Sequence, residues 1–199
     1  MKNIVITFLA ISLLGCTNKK STNINLILDE KQIKNELNDS IGTESIFVKG
    51  DTMYYYWKLD TNIYKFDTII NQVSYQMETY CLNDSAVFNE TWTEKRNSNP
   101  NLIEFSVAHN YATDFKIINS QKTYELKLLK ENFRDSLPPD FFRICHMWKN
   151  EFSHIEGEQP LFIATFAQPD TDYQYAIIYT ISEQGILKII RVEDESETE

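Results

Sequence analysis

Val73-Ser74-Tyr75-Gln76-Met77-Glu78 opens the stretch that decides the fold. Its odd positions are apolar or aromatic and its even positions polar, the period of two expected of a strand with one wet face. Working outward, runs rich in Tyr, Phe, Ile, Val and Thr recur on both sides, broken by Asp, Asn, Ser and Gly. They predict strands at about 45–49, 53–59, 62–70, 73–82, 86–95, 102–110, 114–119 and 122–130. The short connections predict antiparallel pairing. Ser136-Leu137-Pro138-Pro139-Asp140 then reads as a helix start, and Phe141, Ile144, Cys145, Trp148 and Phe152 form an apolar stripe at helical spacing. One principal helix over about 138–153, laid across the sheet, is the expectation. Three further strands follow near 161–167, 174–182 and 186–193, joined through Pro169-Asp170-Thr171-Asp172 and Glu183-Gln184-Gly185 as a meander. Upstream, Asp29 to Asn38 reads as a short helix, with Asp29 as its cap and Ile33 and Leu37 four residues apart. The fold class expected is α+β, a mostly antiparallel sheet or sandwich with one principal helix packed on it. An all-β sandwich with decorating helices is the alternative.

The start of the chain carries an address. After Met1-Lys2-Asn3, the eleven residues from Ile4 to Leu14 are mostly apolar, and polar Thr17-Asn18-Lys19-Lys20 follows soon after. That core is too short to cross a bilayer, which takes about 20 apolar residues. It suits a removable signal peptide. Leu13-Leu14-Gly15-Cys16 resembles the lipobox of bacterial lipoproteins, with Leu three residues before the cysteine and Gly one before it. The resemblance implies cleavage between Gly15 and Cys16 and acylation of Cys16. At ~0.8 kcal/mol per buried CH₂, the family's two or more acyl chains make a permanent anchor. By resemblance to the usual sorting rule, Thr17 rather than Asp after the cysteine points to the outer membrane. No acidic run follows Cys16, so a periplasm-facing position is expected. The organisation is then a signal peptide at 1–15, a lipidated cysteine and polar tether at 16–28, a single domain at 29–193 and an acidic tail at 194–199.

Composition narrows the function. Of 199 residues, 42% are hydrophobic and 13% aromatic, as a globular domain requires, while a formal net charge of −10 repels phosphate backbones and excludes a nucleic-acid partner. With Cys16 lipidated, Cys81 and Cys145 remain. In an oxidising envelope they form a candidate disulfide, the other reading being two buried free thiols. Glycines at 42, 50, 157 and 185 are too dispersed for a phosphate-cradling loop. Hydrolase, penicillin-binding, thiol-redox and zincin signatures are all missing. His109, His146 and His154 are scattered and read as structural or surface residues, so no metal and no cofactor are expected. Asp170-Thr171-Asp172 lacks the further ligands of a calcium loop and reads as a turn.

Two patterns suggest contact with partners. On a strand, Tyr54 and Tyr56 share one face and Tyr55 and Trp57 the other, so one face is a candidate aromatic platform for a sugar or protein. Cross-strand packing in a two-sided sheet is the bland reading. The tripeptide Asp, then Ser or Thr, then an aliphatic residue, Met or Ala occurs around Ser40, Thr52, Thr68, Ser85 and Ser136. It resembles the acceptor motif of a general O-glycosylation system of exported proteins in some Gram-negative anaerobes. The resemblance implies hydroxyls that lie outward in turns or at strand ends, with the third residue turned inward. Without glycans, the same tripeptides are turn starters. Taken whole, the chain resembles the uncharacterised lipoproteins that make up domain-of-unknown-function families in such bacteria. That resemblance carries over an address and no catalytic residue. The expected function is a membrane-anchored envelope lipoprotein, more a non-catalytic module for a protein or glycan partner than an enzyme. The alternatives are a structural or assembly lipoprotein and a hydrolase with a carboxylate site.

Overall fold

The computed structural model describes residues 45–90 and 103–195. Cys16, the signal and tether, the expected helix at 29–38 and Ser40 lie outside them.

The first sheet takes its strands from the first two thirds of the chain: β1 (Ser45–Lys49), β2 (Thr52–Tyr56), β3 (Ile63–Ile70), β4 (Val73–Glu90), β5 (Ile103–Ile118) and β6 (Thr123–Leu128). Its order is β1-β2-β5-β4-β3, with β6 also paired to β5. Strand β5 is the axis. On one edge its first half, Ile103 to Val107, runs parallel to β2, and its second half, Thr113 to Ile118, runs antiparallel to β6. Its other edge pairs with β4, with one break in register between Cys81 and Ala86. Pairs of expected strands are therefore fused here, 73–82 with 86–95 and 102–110 with 114–119. Asn71 and Gln72, both at positive φ, close the β3–β4 hairpin in two residues, as the twist of paired strands favours.

The second sheet is an antiparallel meander of β7 (His146–Glu156), β8 (Gln159–Ala167), β9 (Gln174–Ile181) and β10 (Leu187–Asp194). Strand β10 takes in Asp194, and the Glu195 amide donates to Gln174 O at 3.1 Å, so ordered pairing enters the first residues of the expected tail. Between the sheets the chain makes a 3-10 helix, Lys130–Ser136, and one short α-helix, α1 (Pro139–Ile144).

The expected principal helix is thus corrected. Only Pro139–Ile144 is helical, and Cys145 is already extended at φ −85° and ψ 160°. The first half of the apolar stripe is real, since Phe141 and Cys145 are buried. Past Cys145, a helix would turn Trp148 inward, yet His146, Met147 and Asn150 are buried and Trp148 is 40% exposed. Pairing with β8 overrides the helical spacing. It runs from His146 opposite Ala167 to Glu156 opposite Gln159, and Gly157 at φ +62° turns the hairpin. The described residues are mostly β, two sheets with one small α-helix, nearer the all-β alternative than the α+β expectation.

Both sheets share one core. Met77, Phe115 and Ile117 of the first face Phe162, Phe166, Ile177 and Tyr179 of the second, with Phe133, Leu137 and Phe141 in the same cluster. Phe115 meets Phe162 edge-on at 5.0 Å, and Phe162 stacks on Tyr179 at 5.5 Å. A buried polar bridge crosses this core. Asn150 Nδ2 donates to Thr113 Oγ1 at 2.9 Å, Tyr179 OH donates to Asn150 Oδ1 at 2.7 Å, and Thr79 Oγ1 donates to Asn150 O at 3.0 Å. Nearby, the Met147 amide donates to Asn110 Oδ1 at 2.9 Å, and Asn110 Nδ2 donates to Ser85 Oγ at 2.7 Å. These side chains tie β7 over β5 without a backbone ladder between them.

Candidate functional site

The connection from β2 to β3 folds around Asp60. Its Oδ1 accepts from the Asn62 amide at 2.9 Å and from Asn62 Nδ2 at 2.8 Å, an Asx turn. Its Oδ2 accepts from Tyr64 OH at 2.8 Å and Tyr111 OH at 2.9 Å. One carboxylate thereby pins a tyrosine from β3 and another from β5. Burial works to raise the Asp60 pKa, but the four hydrogen bonds outweigh it and hold the carboxyl below its usual range. Burial and the bond to Asp60 push the Tyr111 hydroxyl up, so it stays a donor.

Beside this node, Tyr64 and Tyr111 join Trp148, Lys149, Asn150 and Glu151 in lining a cleft of about 220 Å³. A bulge aims the tryptophan. Met147 pairs with Phe166 and Lys149 with Thr165, so Trp148 has no partner in the ladder and its side chain is left partly open. Two residues beyond Tyr64, Phe66 stacks on Phe152 at 4.3 Å and joins β3 to β7. Lys149 Nζ pairs with Glu151 Oε1 at 2.7 Å, both side chains nearly half exposed. Asn150 is occupied by the buried bridge. The cleft thus has two open aromatic side chains, Tyr64 at 52% and Trp148 at 40%, one exposed ion pair, and walls already hydrogen-bonded.

The aromatic run reads differently in place. Tyr54 and Tyr56 are buried, and Tyr54 stacks on Phe105 at 5.8 Å and meets Phe88 edge-on at 6.1 Å. That face is cross-strand packing. Tyr55 is half-buried. Trp57, just past the end of β2, is 37% exposed and meets the His146 ring edge-on at 5.3 Å. It is the most exposed of the four, three residues before Asp60 and against His146 of β7, and it does not line the cleft.

Cys81 and Cys145 are both free thiols, so the candidate disulfide is corrected. Their surroundings differ. Cys81 neighbours Asp60, whereas Cys145 Sγ lies 3.8 Å from Phe142 O, and the buried Lys130 ammonium donates to Cys145 O at 2.5 Å. Burial pushes both thiols up to about 11.

Of the tripeptide hydroxyls, Thr52, Thr68, Ser85 and Ser136 are all half-buried, with none in the core. Thr52 opens β2 and Ser136 ends the 3-10 helix, but Thr68 and Ser85 lie inside strands rather than in turns. The third residue points inward at Met53 and Leu137, while Ile69 is 74% exposed.

His146 is buried, with Nδ1 3.2 Å from His109 O, and its Nε2 makes no hydrogen bond. Burial pushes its pKa down to about 4. His154 is exposed and bonds Ser153. Among the described residues, no group of three His, Cys, Asp or Glu is placed to hold a metal ion. Asp170 to Asp172 form the turn between β8 and β9, closed by the Gln168 amide donating to Tyr173 O at 3.0 Å.

Sequence reading missed Asp60, Tyr64, Tyr111 and Trp148. Asp60-Thr61-Asn62 carried the only usable signal, an Asx turn before a strand whose second residue is aromatic. No curated protein matches the chain. Residues 106–189 match DUF4738, a domain of unknown function, a span that runs from within β5 into β10 and takes in Tyr111, Trp148, Lys149 and Glu151 but not Asp60 or Tyr64.

Proposed function

We propose that this protein is an envelope lipoprotein, lipidated on Cys16 and facing the periplasm from the outer membrane, whose domain holds a protein or glycan partner at the Tyr64–Trp148 cleft. The observation that carries this reading is a pair of partly open aromatic side chains over walls whose polar groups are already paired. Open aromatic surface is what a binding site exposes and a folded core hides. Hydrolysis by two carboxylates needs one of them kept protonated beside the scissile bond. Asp60 has the opposite environment, with all four bonds favouring its charged form. Its role is to fix Tyr64 and Tyr111.

The test is retention of a partner by full-length, lipidated protein in crosslinked envelopes. Trp148→Ala and Tyr64→Ala are expected to lose the adduct while membrane association and fold persist. An adduct that survives both substitutions would move the binding surface elsewhere.

A further inference from the structure

We propose that the occupant of this cleft is one uncharged sugar ring bearing adjacent hydroxyls. The inference rests on the cleft being the binding site. Size is the first argument, since about 220 Å³ lies below the ~300–1,000 Å³ of pockets for drug-sized ligands and suits a single six-membered ring. The second is surface chemistry. Tyr64 and Trp148 are 52% and 40% exposed, with Lys149 Nζ 6.0 Å from the Trp148 ring centroid. Aromatic faces have negative quadrupoles that attract the weakly positive C–H face of a pyranose. The third is the Lys149–Glu151 pair, which sets an ammonium donor 2.7 Å from a carboxylate acceptor at the solvent edge. Each sugar hydroxyl donates and accepts, so two neighbouring hydroxyls bridge such a pair with charge-assisted bonds.

Charge selects against acidic sugars. Around the cleft the carboxylates of Asp60 and Glu151 outnumber the Lys149 ammonium, and the chain as a whole carries −10. A carboxylated, sulfated or phosphorylated ring meets repulsion at short and long range. The walls are preorganised as well. Asp60 fixes the Tyr64 hydroxyl and the core bridge fixes Asn150, so little side-chain freedom is lost on binding.

The experiment titrates full-length protein, in a detergent without a sugar headgroup, with methyl glycosides of glucose, galactose and mannose and with glucuronic acid. Tryptophan emission and saturation-transfer NMR report binding. At least one neutral glycoside is expected to bind with Kd on the order of 1 mM, and glucuronic acid about tenfold more weakly. Extending that glycoside to a disaccharide should tighten binding by no more than a few fold. Trp148→Ala should weaken binding about tenfold or more, whereas Trp148→Phe, which keeps an aromatic face, restores most of it. Absence of binding by every neutral glycoside, equal binding of glucuronic acid, or indifference to Trp148→Ala overturns the proposal. Chemical crosslinking of the protein with Tyr64 intact separates its failure from that of the cleft. A protein adduct in native envelopes without glycoside binding refutes the sugar and keeps the cleft, and neither signal refutes both.

Discussion

Asn150 and His146 are four residues apart on one strand, and both are buried polar side chains, but they differ in how they are satisfied. Asn150 uses donor, acceptor and backbone carbonyl to join Thr79, Thr113 and Tyr179 across the core. Asn150→Ala removes two of these bonds and strands the buried partners, so it should cost about 2–4 kcal/mol in chemical denaturation. A loss below ~0.5 kcal/mol would mean that the bridge is not closed in solution. His146 is instead kept neutral by burial, with a pKa of about 4 against 6.5 in the unfolded chain. Below pH 6.5 the unfolded state takes up a proton that the folded state refuses, so stability falls as pH drops from 6.5 to 4. The loss is roughly 3 kcal/mol by linkage. His146→Gln should flatten this slope relative to the parent, and an unchanged slope would show that His146 titrates normally. Neither role is legible in the sequence. Tyr54, Tyr56 and Trp57 are equally aromatic on paper, and only the neighbouring strands decide that the first two are covered and the third is open.

At the scale of elements, the alternation in Val73 to Met77 is local and survives folding. The stripe from Phe141 to Phe152 is local too but loses, because β7 exists only through β8. Strand ends were legible for the same reason that strand fusions were not. Turn residues mark where a chain reverses, whereas 81–86 and 110–114 look like breaks yet lie within long strands paired to each other. The hairpin tips offer a comparison. Gly157 has open space around it at φ +62°, so Gly157→Ala meets only the backbone penalty of ~1–2 kcal/mol. Gly185 sits at φ +76°, and an added Cβ would come within 3.2 Å of Tyr124 Cβ. Gly185→Ala should therefore lower stability more than Gly157→Ala, and the reverse order in thermal melts would refute this packing of the β9–β10 turn.

For the whole molecule, the proposal joins a lipid anchor at one end of the chain to an aromatic cleft in the domain. The anchor half predicts that Cys16→Ala leaves an uncleaved or soluble product absent from the detergent phase. The free thiols predict that the lipidated chain, denatured without reductant, titrates two cysteines, Cys81 and Cys145. A count of zero would mean that they pair after all. The proposed address rests on a contiguous stretch, Leu13-Leu14-Gly15-Cys16, which needs no fold to be read. The cleft was not legible, because Tyr64, Tyr111 and Trp148 are distant in the chain and meet only through an Asx turn, a bulge and a polar bridge. The central claim is that this cleft carries the function of an anchored protein. It is tested most directly by chemical crosslinking of the lipidated protein, with Tyr64 intact, in its native envelope, with and without Trp148→Ala. The account predicts a discrete adduct that disappears with Trp148→Ala, while an adduct of unchanged yield in that variant would contradict it.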